Sequence, residues 1–311
     1  MHRHVGRPYA ALLPRRTLRL VANATGTLCA LLLPAAGALA DATRFGIDAE
    51  FGHYTNINRA ALAKEEQSDN AVALEAYAAR SFLLSDRSGV VVRGGVRARE
   101  FFDFGDMSSI GVTGRAAYRF QPSPGFTSPW IELAANLETL SHRDSDIRDG
   151  YIVSAAASIG KYVTDRIRVE GGAGYDIRRA SEGSVYDLSN AKFWGALDYK
   201  LTNSTTLYGS ATWLNGEQVF TLLNTAAWSN MYAYAKASAS DPVFASAFGG
   251  AAPMAYRVDA VTVVLELGTN IALTGSQALD FGVGWFDSKA DQGGGSYDGA
   301  SIRAGYLYRF R

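Results

Sequence analysis

GASIRAGYLYRFR, residues 299–311, alternates at every step. Ala300, Ile302, Ala304, Tyr306, Tyr308 and Phe310 fall on one parity, and Ser301, Arg303, Gly305, Leu307 and Arg309 on the other. Successive side chains of a strand point to opposite faces, so this segment has one apolar face and one largely polar face. Three aromatics, Tyr306, Tyr308 and Phe310, crowd the end of the apolar face.

The same alternation recurs upstream. Phe45, Ile47, Ala49 and Phe51 oppose Arg44, Asp48 and Glu50; Val90, Val92, Val96 and Ala98 oppose Arg93, Arg97 and Arg99. Ile110, Val112, Ala116, Tyr118 and Phe120 oppose Thr113, Arg115 and Arg119, and Ile131, Leu133, Ala135 and Leu137 oppose Glu132, Asn136 and Glu138. Further strands are predicted over 71–84, 151–162, 167–178, 188–201, 205–217, 256–270 and 277–287, which brings the set to about twelve. Turn residues cluster at short connections near 86, 123, 165, 203 and 275, while longer connections fall near 60, 104, 145, 183, 235 and 291.

Composition narrows the class. Hydrophobic residues make up 48% of the chain and charged residues 19%, with 16 Tyr, 15 Phe and 32 Gly. No stretch after residue 40 approaches the roughly 20 apolar residues of a membrane helix. Membrane strands need only about ten alternating residues each, which leaves mean hydropathy near zero; here it is −0.04. Arg3, Arg7, Arg15, Arg16 and Arg19 face no acid in the first forty residues, so the rest carries 25 basic against 30 acidic side chains. A net-acidic body argues against nucleic-acid binding.

The aromatic-ended final strand resembles the closing strand of Gram-negative outer-membrane β-barrels, whose terminal aromatic is part of the signal read by the insertion machinery. That resemblance implies an all-β fold, a transmembrane antiparallel up-and-down barrel of about twelve strands over residues 41–311, with both termini periplasmic. It makes outer-membrane lipid and lipopolysaccharide the surroundings, and Tyr306, Tyr308 and Phe310 the assembly signal. The even strand number and the alternation of short turns with longer loops agree with it. Aromatics expected at the two interfaces are Phe82, Phe120, Trp130, Tyr162, Tyr199, Tyr308 and Phe310 at the inner one, and Phe51, Phe101, Tyr151, Tyr175, Trp213 and Trp285 at the outer one. A soluble sandwich or lipocalin-like barrel also alternates, and parity alone does not say which face lies inside.

Residues 1–40 read as a secretory signal, with a basic region through Arg19, an apolar stretch from Leu20 to Leu33, and Ala38-Leu39-Ala40 as the cleavage site. Cys29, the one cysteine, would leave with it, so disulfides and thiolate chemistry are excluded from the exported protein.

Catalytic and metal signals are thin, and no catalytic residue, metal site or cofactor is assigned. Outer-membrane phospholipases and lipid A deacylases use a His and a Ser held close together. His53 and His142, the latter beside Ser141 and Ser145, are the candidates for such a lipid-modifying enzyme. The loop acids Asp103, Asp106, Asp144, Asp146 and Asp149 suit solvated tips or divalent-ion contacts to lipopolysaccharide. Gly52-His53-Tyr54-Thr55-Asn56-Ile57-Asn58 is similar to a stretch in barrel domains of the surface-lipoprotein assembly family, from which no activity is carried over, since Asn56 and Asn58 suit turn formers of the first outer loop; an adhesin or assembly barrel stands as a further alternative.

The leading expectation is a narrow porin-like channel for small, acidic solutes, or a structural barrel. With the polar parity turned inward, Arg93, Arg97, Arg99, Arg115, Arg119, Glu132, Glu138, Arg168 and Glu170 line the interior. The arginines of two adjacent strands then form a basic stripe; the alternative is a mutually neutralising plug of Arg and Glu. The long connection from Phe220 to Met254 carries apolar residues that need cover, so it is expected to fold into the mouth as a constriction with Trp228, Tyr232 and Tyr234.

Overall fold

The computed structural model describes residues 43–223, 233–291 and 295–310. The expected leader, residues 1–40, lies outside the described residues, as do Trp228 and Tyr232 of the expected constriction. The strands are β1 (Arg44–Tyr54), β2 (Asp69–Ser85), β3 (Ser88–Phe101), β4 (Ser109–Phe120), β5 (Trp130–His142), β6 (Gly150–Tyr162), β7 (Ile167–Ala180), β8 (Leu188–Lys200), β9 (Thr205–Leu222), β10 (Ala237–Ser240), β11 (Met254–Ala272), β12 (Gln277–Ala290) and β13 (Ser296–Arg309). Every pairing between them is antiparallel. β13 lies on β1, with Tyr306 opposite Ala49, and β9 lies on β11, so twelve strands close into a barrel. The thirteenth, β10, is a four-residue strip paired to the first residues of β11.

Closure pairs the backbone polar groups around the ring and leaves no edge, the condition for a sheet to stand in hydrocarbon. The exposed face is the apolar one: Ile302 is 63% exposed, whereas the side chain of its neighbour Arg303 is 11% exposed. Val96, Val112, Leu133, Phe193, Leu265 and Val283 likewise face outward. A soluble barrel would turn this parity inside. Register is held by the same energetics, because a one-residue slip would put Arg97 or Arg303 against lipid at roughly 2 to 4 kcal/mol each near the midplane.

Connections at 86–87, 163–166, 201–204 and 273–276 are tight and share one end of the barrel with Arg44 and Arg309; this is the turn end. The opposite, loop end carries the connections at 55–68, 102–108, 143–149, 181–187 and 223–253. β9 runs to Leu222, five residues beyond its expected end, because Val219, Phe220 and Leu222 are covered there by other loops and by Tyr256 and Tyr297. Three residues expected at the interfaces are corrected by their parity. Trp130 and Phe101 point inward and are buried, Trp130 at the turn end and Phe101 under the loops, and Tyr162 shares the inward parity of β6 and packs its ring 5.6 Å from Trp130.

Candidate functional site: the barrel interior and its mouth

The interior is built by the polar parity of each strand. Arg93 on β3 and Arg115 on β4 are direct cross-strand partners, and like charges in that position repel. Each leans the other way. Arg93 Nη2 donates to Asp48 Oδ2 at 3.2 Å and to Glu75 Oε1 at 2.8 Å, while Arg115 donates to Glu132 Oε1 at 2.6 Å and to Asn136 Oδ1 at 3.1 Å. Arg97 places Nε and Nη2 on Glu75 Oε2 at 3.1 and 2.7 Å, and its Nη1 stands 3.7 Å from Glu138 Oε1. Arg119 reaches Glu132 Oε2 through Nε and Nη2 at 3.1 and 2.7 Å. Arg168 on β7 pairs with Glu170 at 2.8 Å and Asp198 at 3.4 Å. Arg99, near the loop end, lies over the Tyr54 ring at 5.6 Å, and its buried Nε has no hydrogen-bond partner.

The balance differs along the stripe. Arg93 and Arg97 stand among three carboxylates, Asp48, Glu75 and Glu138. Arg115 and Arg119 share the single Glu132 and keep 44% and 39% of their side chains accessible. Arg115 and Arg119 thus carry one positive charge more than the carboxylate they share. On the far wall, Tyr208 donates to Asp280 at 2.9 Å, and Arg303 stands 3.8 Å from Glu266.

Large rings share this space. Trp130, Trp194, Tyr208 and Tyr77 each have a glycine as direct cross-strand partner: Gly160, Gly172, Gly268 and Gly46. Each ring lies over its glycine, where a Cβ would stand 2.2, 2.3, 2.3 and 2.4 Å from the nearest ring atom. The glycines seat the rings against the wall. The glycine at 172, inside a strand, is required by the Trp194 indole. No reading of a single strand could find these pairs, because the signal appears only once the register of two strands is known.

The mouth is built differently. Asn56, in the left-handed region at φ 47°, holds the 55–68 loop by accepting from Ala60 N at 2.7 Å and donating to Ala60 O at 3.1 Å and Asp298 O at 2.8 Å. Asn58 closes the same loop on Glu65 O and Gln67 N at 2.8 and 2.9 Å, and Glu65 in turn accepts from Leu223 N at 2.8 Å. The described part of the 223–253 connection crosses the mouth. Phe244, fully buried, packs 5.0 Å from the Phe104 ring among Ala71, Phe101, Met107 and Val243. Asp241, also fully buried, makes a two-pronged pair with Arg148 of the short 3-10 turn Asp146–Arg148. Tyr234 is half exposed. The sequence reading missed Arg148, Asp241 and Phe244. Nothing local in the sequence marks the pair, because the partner of Asp241 lies 93 residues away.

His53 is exposed on the outer face, 3.0 Å from Asn70 Oδ1. His142 is buried and its Nδ1 lies 3.3 Å from Asp149 Oδ1, while the Ser145 hydroxyl is bonded to Arg148. Among the described residues no serine is hydrogen-bonded to either histidine, and no group of three or more His, Cys, Asp or Glu is placed to hold a metal ion. On β13, Tyr306 faces outward, and Tyr308 stacks edge-on with Phe310 at 4.8 Å beside the turn end.

Among solved structures, the chain superposes on an outer membrane channel from Pseudomonas putida F1 with a TM-score of 0.58 at 12% identity, covering 89% of this chain and 100% of that one. The fold is that of an outer-membrane β-barrel. A NanC porin (TM-score 0.46, 9% identity, 84% of this chain and 98% of that one) and a KdgM porin (0.41, 10%, 85% and 99%) are more distant matches to this outer-membrane barrel. No family model and no curated protein matches its sequence.

Proposed function

We propose that the protein is a narrow outer-membrane channel for small solutes, with a preference for anions and acidic molecules. The observation that carries this is the uneven pairing of the stripe: Arg115 and Arg119 share Glu132 and remain open to the interior. In a narrow, low-dielectric passage one uncompensated charge weighs heavily on which ion enters. Arg93, Arg97, Arg99, Glu138, Arg168 and Glu170 line the rest of the path, and the rings of Trp130, Trp194, Tyr208 and Tyr77 lie against its wall. In this reading the turn end and both chain ends are periplasmic, residues 1–40 are a leader removed near Asp41, and the insertion machinery reads Tyr306, Tyr308 and Phe310. Lipid and lipopolysaccharide surround the outer belt. The 223–253 connection is the constriction, with Trp228, Tyr232 and Tyr234 on its course and Phe244 at its seat.

A structural barrel with a neutralised interior is the second reading, and it rests on Glu75, which takes both Arg93 and Arg97. The likeness of Gly52–Asn58 to assembly-family barrels adds no activity, since Asn56 and Asn58 are used inside their own loop. Planar bilayers decide between channel and structural barrel. The channel reading expects small unitary currents with an anion-signed reversal potential under a salt gradient; a sealed bilayer even after removal of residues 224–250 would overturn it.

A further inference from the structure

We infer that Arg148 is the centre of a carboxylate-binding site at the mouth, occupied in the closed form by the chain's own Asp241, and that a small free carboxylate displaces it. The inference rests on the channel reading for its consequence, the opening of the mouth, but not for its geometry. Arg148 presents its fork from the short 143–149 connection. Nη1 donates to Asp241 Oδ1 at 2.8 Å and to Ser145 Oγ at 2.8 Å, and Nη2 donates to Asp241 Oδ2. Tyr186 adds its hydroxyl at 3.5 Å from Asp241 Oδ2. The guanidinium is held from behind: Arg178 Nη2 donates to the Arg148 carbonyl at 2.7 Å, and the Tyr186 and Phe244 rings flank it at 4.9 and 5.5 Å. Burial pushes the Tyr186 phenol up to about 12, so its proton stays available for donation. Two parallel N–H donors with a hydroxyl beside them are the pattern that recognises a planar carboxylate.

Donors and acceptor belong to parts of unequal attachment. Arg148, Ser145 and Tyr186 stand on connections 143–149 and 181–187, each tied directly to two barrel strands. Asp241 rides on the longest connection, held by the four-residue β10, by Phe244 and by its amide on Pro253 O at 2.8 Å. Gly249 and Gly250, at φ 65° and 94°, form the bend by which that segment returns to β11, a conformation open to glycine at little cost. When the acceptor leaves, the Phe244 ring leaves with it, while Ser145, Tyr186 and the Arg178 contact stay with Arg148. A buried ion pair holds two segments together no better than apolar packing of similar volume, and Phe244 already supplies such packing. What the pair adds is competition, because only a carboxylate seat can be taken by a carboxylate from solution.

The test is the labelling rate of a buried thiol. Val243→Cys, 4% exposed in the parent, is made with Cys29→Ser so that it is the one thiol present, and is treated with a maleimide in sodium acetate or in sodium chloride of equal ionic strength. Heat-modifiable migration on a denaturing gel confirms that each variant is a folded barrel. Acetate is expected to speed labelling about tenfold, the response to a tenfold shift in the open fraction. Adding Asp241→Asn should give fast labelling in both salts, and adding Arg148→Gln should abolish the acetate response. Equal rates in acetate and chloride, whether Asp241→Asn labels fast or slowly, overturn the site. The readout needs no current, so a barrel that conducts nothing in bilayers fails the channel reading without touching this one.

Discussion

At the loop end the interior is packed with Phe220, Tyr256, Phe244 and Val219, none more than 1% exposed; toward the turn end Arg115 and Arg119 keep about two-fifths of their side chains accessible. The same twelve strands enclose both regions. The difference lies in who supplies the inward side chains. In the wall, register alone places a charge or a glycine, and hydrogen-bonded strands hold it there. At the mouth, apolar strand ends such as Phe220 and Leu222 are covered by loops, with Ala61 and Leu62 from one side and the 233–253 segment crossing beside them. The wall is therefore fixed, and the 233–253 segment over it rests on side-chain packing, the four-residue β10 ladder and one buried ion pair.

That contrast predicts opposite phenotypes for substitutions at the two places. The largest effect belongs to the wall: Gly160→Leu, forced against the Trp130 ring, should abolish the heat-modifiable folded band altogether, whereas a folded barrel of normal yield would show that the ring has other room. Next comes Asp241→Asn, which leaves Arg148 buried without its counter-charge. It should cost about 3–5 kcal/mol of loop docking and raise open time in bilayers, with the barrel band unchanged; a loss of the band instead would make the ion pair part of the wall. Phe244→Ala removes the ring from its Phe104 seat and should likewise open the mouth, at about 3 kcal/mol, read as faster proteolysis within 233–253. The smallest effect is at the rim. Arg143→Gln breaks an exposed pair with Glu100 and should change the thermal midpoint by less than the equivalent of about 1 kcal/mol.

The wall was legible in the sequence because period-2 alternation is a local signal. Residues 90–100 and 108–120 display it without reference to any partner, and the strands found there, β3 and β4, differ from those bounds by no more than two residues at an end. The interior arginines were legible for the same reason. Their pairing was not: Glu75 and Asp48 become partners of Arg93 only when β1, β2 and β3 lie side by side in one register. Trp130 was misplaced because interface aromatics and interior aromatics have the same composition, and only its parity, shared with Glu132, separates them. The mouth was least legible. Asp241 and Arg148 meet across 93 residues, and apolarity in the long connection announced burial without naming what it would pack against.

The most direct measurement is the reversal potential of single channels under a salt gradient, for the parent and for Arg97→Glu combined with Arg115→Glu. The account predicts an anion-signed potential in the parent that moves toward cation selectivity in the double variant. A parent potential of zero, or a preference that survives both substitutions, would contradict the claim that the arginines of β3 and β4 select what passes.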